Sequence, residues 1–461
     1  MSEPSTRPPL PQRVKRSIIR EPFTGDRRSR LRLVMNNLIL HLHPAQVPKA
    51  TLRFTYTWGL GGLSALLFLL LSVTGAMLEF AYTPSPEQAY TSILALQTNV
   101  WFGQLIRNLH HWSGNLMIVV VALHLLRVFF TGAFRPPREF NWIVGIALLL
   151  LTVVANFTGY LLPWDQLAYW GITVGTSILS YIPLIGDWAA QLLLGGPEVG
   201  PNTLLNFYAL HISAIPFAMA ALMGLHFWRV RKDGGLTIPR RLRESEPDTS
   251  KTTTIPDLVR PELAWAAVSI AAITLWAMFV NAPLEPLANP DVSPNPAKAP
   301  WYFLGIQELL LHFHPFIGAI IIPGLAILAL TALPYMDADM ESVGIYFRSW
   351  KGRWLSFLSA IAGTVFTFIW VLVDEYWLDL PSIFPSLPTI VSNGVIPLIV
   401  LLLLLYGFYL YSRKAFLTTH CEAVLGLFVL LLAGFVTLTI IGIFFRGPGM
   451  ALMRPWDIVP H

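Results

Sequence analysis

The residues that could do chemistry here are histidines. The stretch from Arg107 to Arg127 reads RNLHHWSGNLMIVVVALHLLR, apolar enough for a membrane helix yet carrying His110 and His124, fourteen residues apart. At about 1.5 Å per residue two rings so spaced lie roughly 21 Å apart along the axis, and at about 100° per residue they differ by only roughly 40° in direction. A second stretch, NFYALHISAIPFAMAALMGLHFWRVRK, carries His211 and His226, fifteen residues apart and within about 60° of one face. Each helix therefore points one imidazole toward a neighbour near each edge of a hydrocarbon core about 30 Å thick. An ionisable group at such depth is functional by default. A lone histidine in a membrane helix ordinarily hydrogen-bonds a neighbouring helix, but four of them, in two pairs at nearly equal spacing, ask for shared ligands. Two such helices can clamp two haems stacked across the membrane, each iron held by one imidazole from each helix. His111 is rotated about 100° from His110 and serves another face. Zinc fits poorly, because the pairs are too far apart for one ion and no cysteine is near.

The elements that must position these rings are membrane spans. The 461-residue chain is 54% hydrophobic and 12% charged, which excludes a soluble globule and predicts an all-α polytopic membrane protein. Apolar runs place nine spans near residues 55–80, 101–130, 140–162, 203–230, 262–281, 316–334, 354–373, 393–412 and 422–445. Span one carries Gly61 and Gly75 and span three Gly145 and Gly159, each pair again fourteen apart. A glycine at each haem level lets a flat macrocycle approach the backbone, and ordinary small-residue helix packing is the other reading of any single one. The single cysteine, Cys421, excludes internal disulfides and a CxxCH haem attachment. The net charge of +5 reflects loop asymmetry rather than nucleic-acid binding.

Lys and Arg gather on one side. Arg135 and Arg138 follow span two, Arg229, Arg231, Lys232, Arg240 and Arg241 follow span four, Arg348, Lys351 and Arg353 precede span seven, and Arg413 and Lys414 follow span eight. Residues 163–202 and 374–392 hold no Lys or Arg and carry Asp165, Asp187, Glu198, Asp374, Glu375 and Asp379. The positive-inside rule then places the N-terminus in the cytoplasm, the acidic loops outside and, after nine spans, the C-terminus outside. His110 and His211 fall on the outer side. The expected organisation is a cytoplasmic arm with a membrane-surface helix (1–50, the helix over 31–46 with His41 and His43), a four-span di-haem bundle (51–232), a polar linker (233–261), and a five-helix C-terminal module (262–373 with a further two spans and an outer tail, 374–461). Nothing at the N-terminus resembles a cleavable signal peptide. Arg107 and Arg127 flank the first histidine helix as candidate cofactor-binding cations. Arg127, Arg229, Arg231, Lys232 and Asp233 cluster by the cytoplasmic histidines, where haem propionates or a quinone carbonyl want cationic donors; plain positive-inside charge explains Arg231 and Lys232 equally well.

RNLHHWSGN with His124-Leu-Leu-Arg127, GYLLPWDQLAYW at 159–170, and NFYALH with the second histidine fifteen on resemble cytochrome b of the Rieske/cytochrome b (cytochrome bc) complexes. The fifteen-residue interval and FTGAFRPPREF at 130–140 are most similar to the b–f branch, and the C-terminal half is similar to subunit IV up to span seven. Spans eight and nine exceed that pattern and are expected to offer a packing surface to partner subunits. The resemblance implies two b haems, non-covalently bound, and oxidation of a quinol at an outer site. It implies electron transfer to a Rieske iron–sulfur protein and a c-type cytochrome subunit, reduction of quinone at a cytoplasmic site, and a dimeric complex that builds a proton-motive force across the cytoplasmic membrane. It places Pro163 and Trp164 of Pro-Trp-Asp-Gln at the quinol pocket, with residues 167–182 as an amphipathic segment under the outer surface. The family motif Pro-Glu-Trp-Tyr stands here as Ala299-Pro300-Trp301-Tyr302, so the usual proton-accepting Glu is replaced by Pro300. Trp301 remains a candidate quinone-site residue and Tyr302 a candidate catalytic one. Glu308, in a short helix with His312 at i+4 as a relay, is the candidate proton acceptor, with Asp165 as the alternative. The covalent haem of the b–f branch attaches to a cysteine where this chain has Gly59, and a small residue there would leave room for a bound group.

Two other classes fit parts of the sequence. A haem-b membrane anchor of another oxidoreductase, resembling that of a nitrate reductase and lacking a Rieske partner, would explain Pro300. A transporter with structural histidines would show no b-haem bands. Since Cys421 is the only thiol and Gly59 stands at the attachment position, acid–acetone extraction is expected to strip all haem from the polypeptide. A haem-stained band after denaturing electrophoresis is the contrary result.

Overall fold

The structure is a computed structural model and describes residues 43–238, 250–336 and 343–458. The expected arm, nearly all of the expected surface helix with His41, and Arg240 and Arg241 of the linker lie outside these residues. Nine helices among the described residues are long and apolar enough to cross a membrane: Leu60–Glu79, Gly103–Phe130, Glu139–Tyr160, Pro201–Lys232, Thr254–Phe279, Phe316–Met336, Trp350–Tyr376, Val391–Ala415 and His420–Phe444. They are numbered as spans one to nine, and the chain is an all-α, multi-pass membrane protein. Span one starts later than the apolar run suggests, because Trp58 and Gly59 both adopt left-handed backbone (φ 54° and 62°) and split a four-residue turn, Phe54–Thr57, from the helix proper. The end of the expected surface helix is a strand instead. Gln46–Pro48 pairs antiparallel with Lys251–Thr253, fastening the start of the described chain to the segment that leads into span five.

Three spans contain a widened turn of five or six residues that is followed two residues on by a proline. Leu210–Ala214 precedes Pro216, Phe316–Ile321 precedes Pro323, and Val391–Val395 precedes Pro397. Proline has no N–H and its ring presses on the carbonyl four residues back. Opening the turn relieves that contact, as in the single-turn bulges of otherwise regular helices. In span four the Ile215 N–H consequently bonds the Leu210 carbonyl, five residues back.

Spans one and two lie side by side, as do three and four, and span five lies against span two. Between the histidine levels the bundle is filled by Leu63, Leu67, Met117, Val120, Ile215 and Met219, a layer without polar atoms. The two halves of the chain meet where span five ends. Arg107 donates from Nη1 to the Ala282 carbonyl (2.8 Å) and from Nη2 to that of Pro283 (2.6 Å). Asn108 donates to Ala277 O (2.8 Å) and accepts from Ala282 N (2.8 Å), and Trp112 Nε1 donates to Val280 O (2.8 Å). The last carbonyls of a helix have no partner within it, and span two supplies those partners here.

Span nine packs along span seven and on the short helix Leu304–His312. Just past its end, Arg446 is almost fully buried. Its Nε donates to both Glu308 carboxylate oxygens (3.1 and 3.2 Å), Nη2 to Glu308 Oε2 (3.0 Å), and Nη1 to Glu375 Oε2 (2.8 Å) and the Met450 carbonyl (2.9 Å). His312 completes the cluster with Nδ1 at 2.6 Å from Asp374 Oδ2. Burial alone would lower the His312 pKa, but the two carboxylates beside it outweigh burial and raise it. Removing one partner of a buried ion pair strands the other. Arg446→Met is therefore expected to destabilise the protein by about 3–5 kcal/mol, read as a lower melting temperature in detergent. Glu308→Gln made alongside it should recover part of that loss, and additive losses would show that the two residues do not act as a pair.

Candidate functional site

The four histidines meet in two facing pairs. The ring centroids of His110 and His211 are 6.1 Å apart, and those of His124 and His226 are 6.5 Å apart. A metal–imidazole bond is roughly 2.0 Å, so two rings on opposite sides of one ion have centroids about 6 Å apart. Thr74 Oγ1 lies 3.0 Å from His110 Nδ1, and Thr158 Oγ1 lies 3.1 Å from His211 Nδ1. Occupying Nδ1 fixes the ring and turns Nε2 to the ligand. His111 is elsewhere, beside Asn115 and edge-on to Trp112.

Each of the four glycines faces one of the four histidines. A β-carbon on Gly75 would stand 3.2 Å from His110 Cε1, on Gly61 3.2 Å from His124 Cε1, on Gly159 2.5 Å from His211 Cε1, and on Gly145 3.8 Å from His226 Cε1. At the His124 end, Arg127 donates from Nε to the Tyr56 carbonyl (3.1 Å) and lies over the Tyr56 ring, while its Nη2 is buried without a hydrogen bond. Arg229 pairs with Asp233 (3.2 Å) and has a buried, unbonded Nε. Orphaned cationic donors and a backbone cradle beside paired imidazoles suit a haem, whose propionates would take those donors. Lys232 lies over Trp228, and Arg231 is half-buried beside it. Arg107 departs from expectation: both terminal nitrogens are held by the Ala282 and Pro283 carbonyls, so it serves the seam between halves rather than the haem level.

At the His110 end an apolar cleft of about 970 Å³, counted with its open mouth, lies between helix Gln166–Leu179, the 294–300 loop and helix Leu304–His312. Phe157, Trp170, Gly171, Val174, Pro300 and Phe303 shape it. The polar loop at 165 sets the helix that forms one wall. Asp165 accepts from Ala168 N (2.9 Å) as its N-cap and from Glu285 N (3.1 Å). Burial raises the Asp165 pKa although these backbone bonds oppose it. Five sequence expectations are corrected here. Pro163 and Trp164 do not line the cleft; Trp164 is buried against Ala89 and Leu204, and Trp170 takes the wall. Trp301 lies outside the lining and donates to Asn115 Oδ1 (2.7 Å). Asp165 has both oxygens engaged by backbone N–H groups. Glu308 does not line the cleft; it faces away, into Arg446, because a buried carboxylate needs a cation. Tyr302 likewise does not line the cleft, and its buried hydroxyl has no hydrogen-bond partner. Burial raises its pKa and keeps the phenol protonated. Lys298 and Gln307, which do line the cleft, gave no motif signal; their closeness to the altered Pro300 was the available hint.

A family model described as cytochrome b/b6/petB matches residues 46–234. Cytochrome b6 of Prochlorococcus marinus (strain MIT 9215) is 43% identical over 175 residues, 38% of this chain and 80% of that protein. The same protein from strain MIT 9211 is 42% identical over an equal length. The chain belongs to the cytochrome b family. Among solved structures, one titled "Hyperthermophilic respiratory Complex III" shares the fold, with a TM-score of 0.61 at 24% identity, covering 87% of this chain and 94% of that one.

Membership of the cytochrome b family, of the bc/b6f type, carries b-type haem binding with it. It also sharpens the reading of Gly59. The expectation that a small residue at 59 leaves room for a further group is overturned, because Trp265 of span five fills that space: a β-carbon on Gly59 would meet Trp265 Cδ1 at 2.8 Å. The glycine cradle makes a graded prediction. Gly159→Ala should weaken or abolish the haem signal at the His110–His211 level, whereas Gly145→Ala, with its wider clearance, should retain both. Redox difference spectra of the two variants check this, and equal spectra would remove the glycines from the haem sites.

Proposed function

We propose that this cytochrome b is the quinol-oxidising, electron-conducting subunit of a membrane complex, with two non-covalent b haems held by His110 with His211 and by His124 with His226. The reading rests on one observation, the two facing imidazole pairs stacked along the bundle. When bound, the haems supply one-electron redox chemistry. The chain's own residues do the rest. Thr74 and Thr158 orient the rings at one level, and the apolar layer of Leu67, Met117 and Met219 keeps water from between the levels. The cleft at the His110 end takes the quinol, its aromatic walls suiting a flat ring with an apolar tail. The Arg127 and Arg229 cluster at the opposite end takes haem propionates and a quinone carbonyl.

Loop charge supports a cleft outside the cytoplasmic membrane, an N-terminus inside and a C-terminus outside. A Rieske iron–sulfur protein takes one electron of each quinol toward a c-type cytochrome. The other would pass between the two histidine levels, where bound haems would supply one-electron carriers, to reduce quinone on the cytoplasmic side, and the quinol protons would leave outside. Residues 51–232 form the di-haem module, 233–261 the linker, and the remainder the quinol-site module with its two further spans, in a complex that is a homodimer.

His124→Ala tests the ligand assignment. Its complex should lose the cytoplasmic-side haem, leaving one b haem where the wild type has two, and a Rieske protein should still co-purify. Two full-strength b haems in the variant would sink the assignment, and a molybdenum subunit in place of the Rieske protein would sink the choice of complex.

A further inference from the structure

The geometry points to Lys298, whose ammonium is held by the end of span nine, as the residue that binds a ring oxygen of the quinol in the cleft. This rests on the proposed reading of the cleft as a quinol site. Lys298 is the only ionisable residue among those lining the cleft. The other polar side chains of the lining are already engaged. Gln307 accepts from Ala299 N (2.8 Å) and donates to Ala297 O (2.7 Å), and Trp170 Nε1 donates to Asn289 O (3.2 Å). An ammonium has three donors, and Lys298 uses one of them on the Ile443 carbonyl (3.0 Å).

That carbonyl belongs to the last turn of span nine, which ends at Phe444. Carbonyls there lack partners within the helix and carry its negative end, so a cation is favoured beside them. The same turn is fixed from behind. A β-carbon on Gly442 would lie 3.5 Å from Glu308 Cγ, and Glu308 is locked to Arg446. The ion-pair cluster therefore holds the turn that holds Lys298. A ligand with an oxygen on a flat apolar ring can take the remaining donors while its ring lies against Phe157, Trp170 and Phe303. A fixed positive charge beside a ring hydroxyl stabilises the negative charge that develops on oxygen as its proton passes to solvent at the cleft mouth.

Burial lowers the Lys298 pKa, although the Glu308 charge raises it in part. The ammonium is thus lost at a lower pH than in an ordinary lysine, and binding that needs it should fail as pH rises through that point. An arginine stays charged throughout.

The test uses the intact purified complex with Lys298→Met and Lys298→Arg, measuring KM and kcat for quinol from about pH 6 to about pH 10, with haem spectra and melting temperature alongside. Lys298→Met is expected to lose on the order of 10–100-fold in kcat/KM at neutral pH, chiefly through KM, the loss expected of one charge-assisted hydrogen bond. Its haem spectra should be unchanged. Lys298→Arg should recover most of the loss and carry activity to higher pH than wild type. A Lys298→Met enzyme within twofold of wild type with the same pH profile overturns the inference. So does a lowered melting temperature with unchanged KM, which would make Lys298 a tether between loop and span nine. A wild-type complex that oxidises no quinol overturns the reading of the cleft itself and this inference with it.

Discussion

Depth matching governs this molecule. Two helices must present imidazoles to each other at two levels, and a mismatch at either level would leave a ring without its opposite number. The intervals are unequal, fourteen residues in span two and fifteen in span four. One extra residue in a regular helix would rotate everything beyond it by about 100° and advance it by about 1.5 Å. The widened turn at Leu210–Ala214, induced by Pro216, takes up that residue. His226 consequently stands opposite His124 at nearly the separation at which His211 stands opposite His110. The glycines of spans one and three follow the same ruler, each opposite one histidine.

The other half of the chain is organised by buried charge. Arg446 lies beyond the last span, yet it is the group that neutralises Glu308 and Glu375 and so joins spans seven and nine to the short helix Leu304–His312 that walls the cleft. Buried ions without partners are expensive, which makes the stretch after Phe444 part of the fold rather than a loose end. Span nine is accordingly an internal element, while span eight presents more of its surface outward.

The sequence exposed most of the scaffold. Nine apolar runs and the histidine intervals were legible because membrane helices obey a simple length rule and because 3.6-residue periodicity converts spacing into direction. The helix after Asp165 was legible as an amphipathic segment over 167–182, but its cap by Asp165 was not. What stayed hidden depended on which way a side chain turns once the chain is folded. Glu308 reads as a carboxylate in a pocket wall until Arg446, 138 positions away, is seen to claim it. Trp164 and Trp170 are six residues apart in one motif, and only packing decides that the first is buried and the second lines the cleft. Arg107 reads as a cofactor cation because its partners are backbone carbonyls, which leave no mark in a sequence. Trp265 was unreadable as the occupant of the space at Gly59, since nothing local connects span five to the start of span one.

The seam at the end of span five has a genetic implication. Arg107, Asn108 and Trp112 terminate a helix that belongs to the other half, so the second half does not finish that end by itself. Association of the halves is written into side chains of span two rather than into the peptide bonds of the linker. A gene encoding such a protein could be divided between spans four and five, and the two products would still carry the side chains and the carbonyls that join at this seam. Fusion into one polypeptide then secures equal numbers of the halves and a high local concentration, and leaves the architecture as it was.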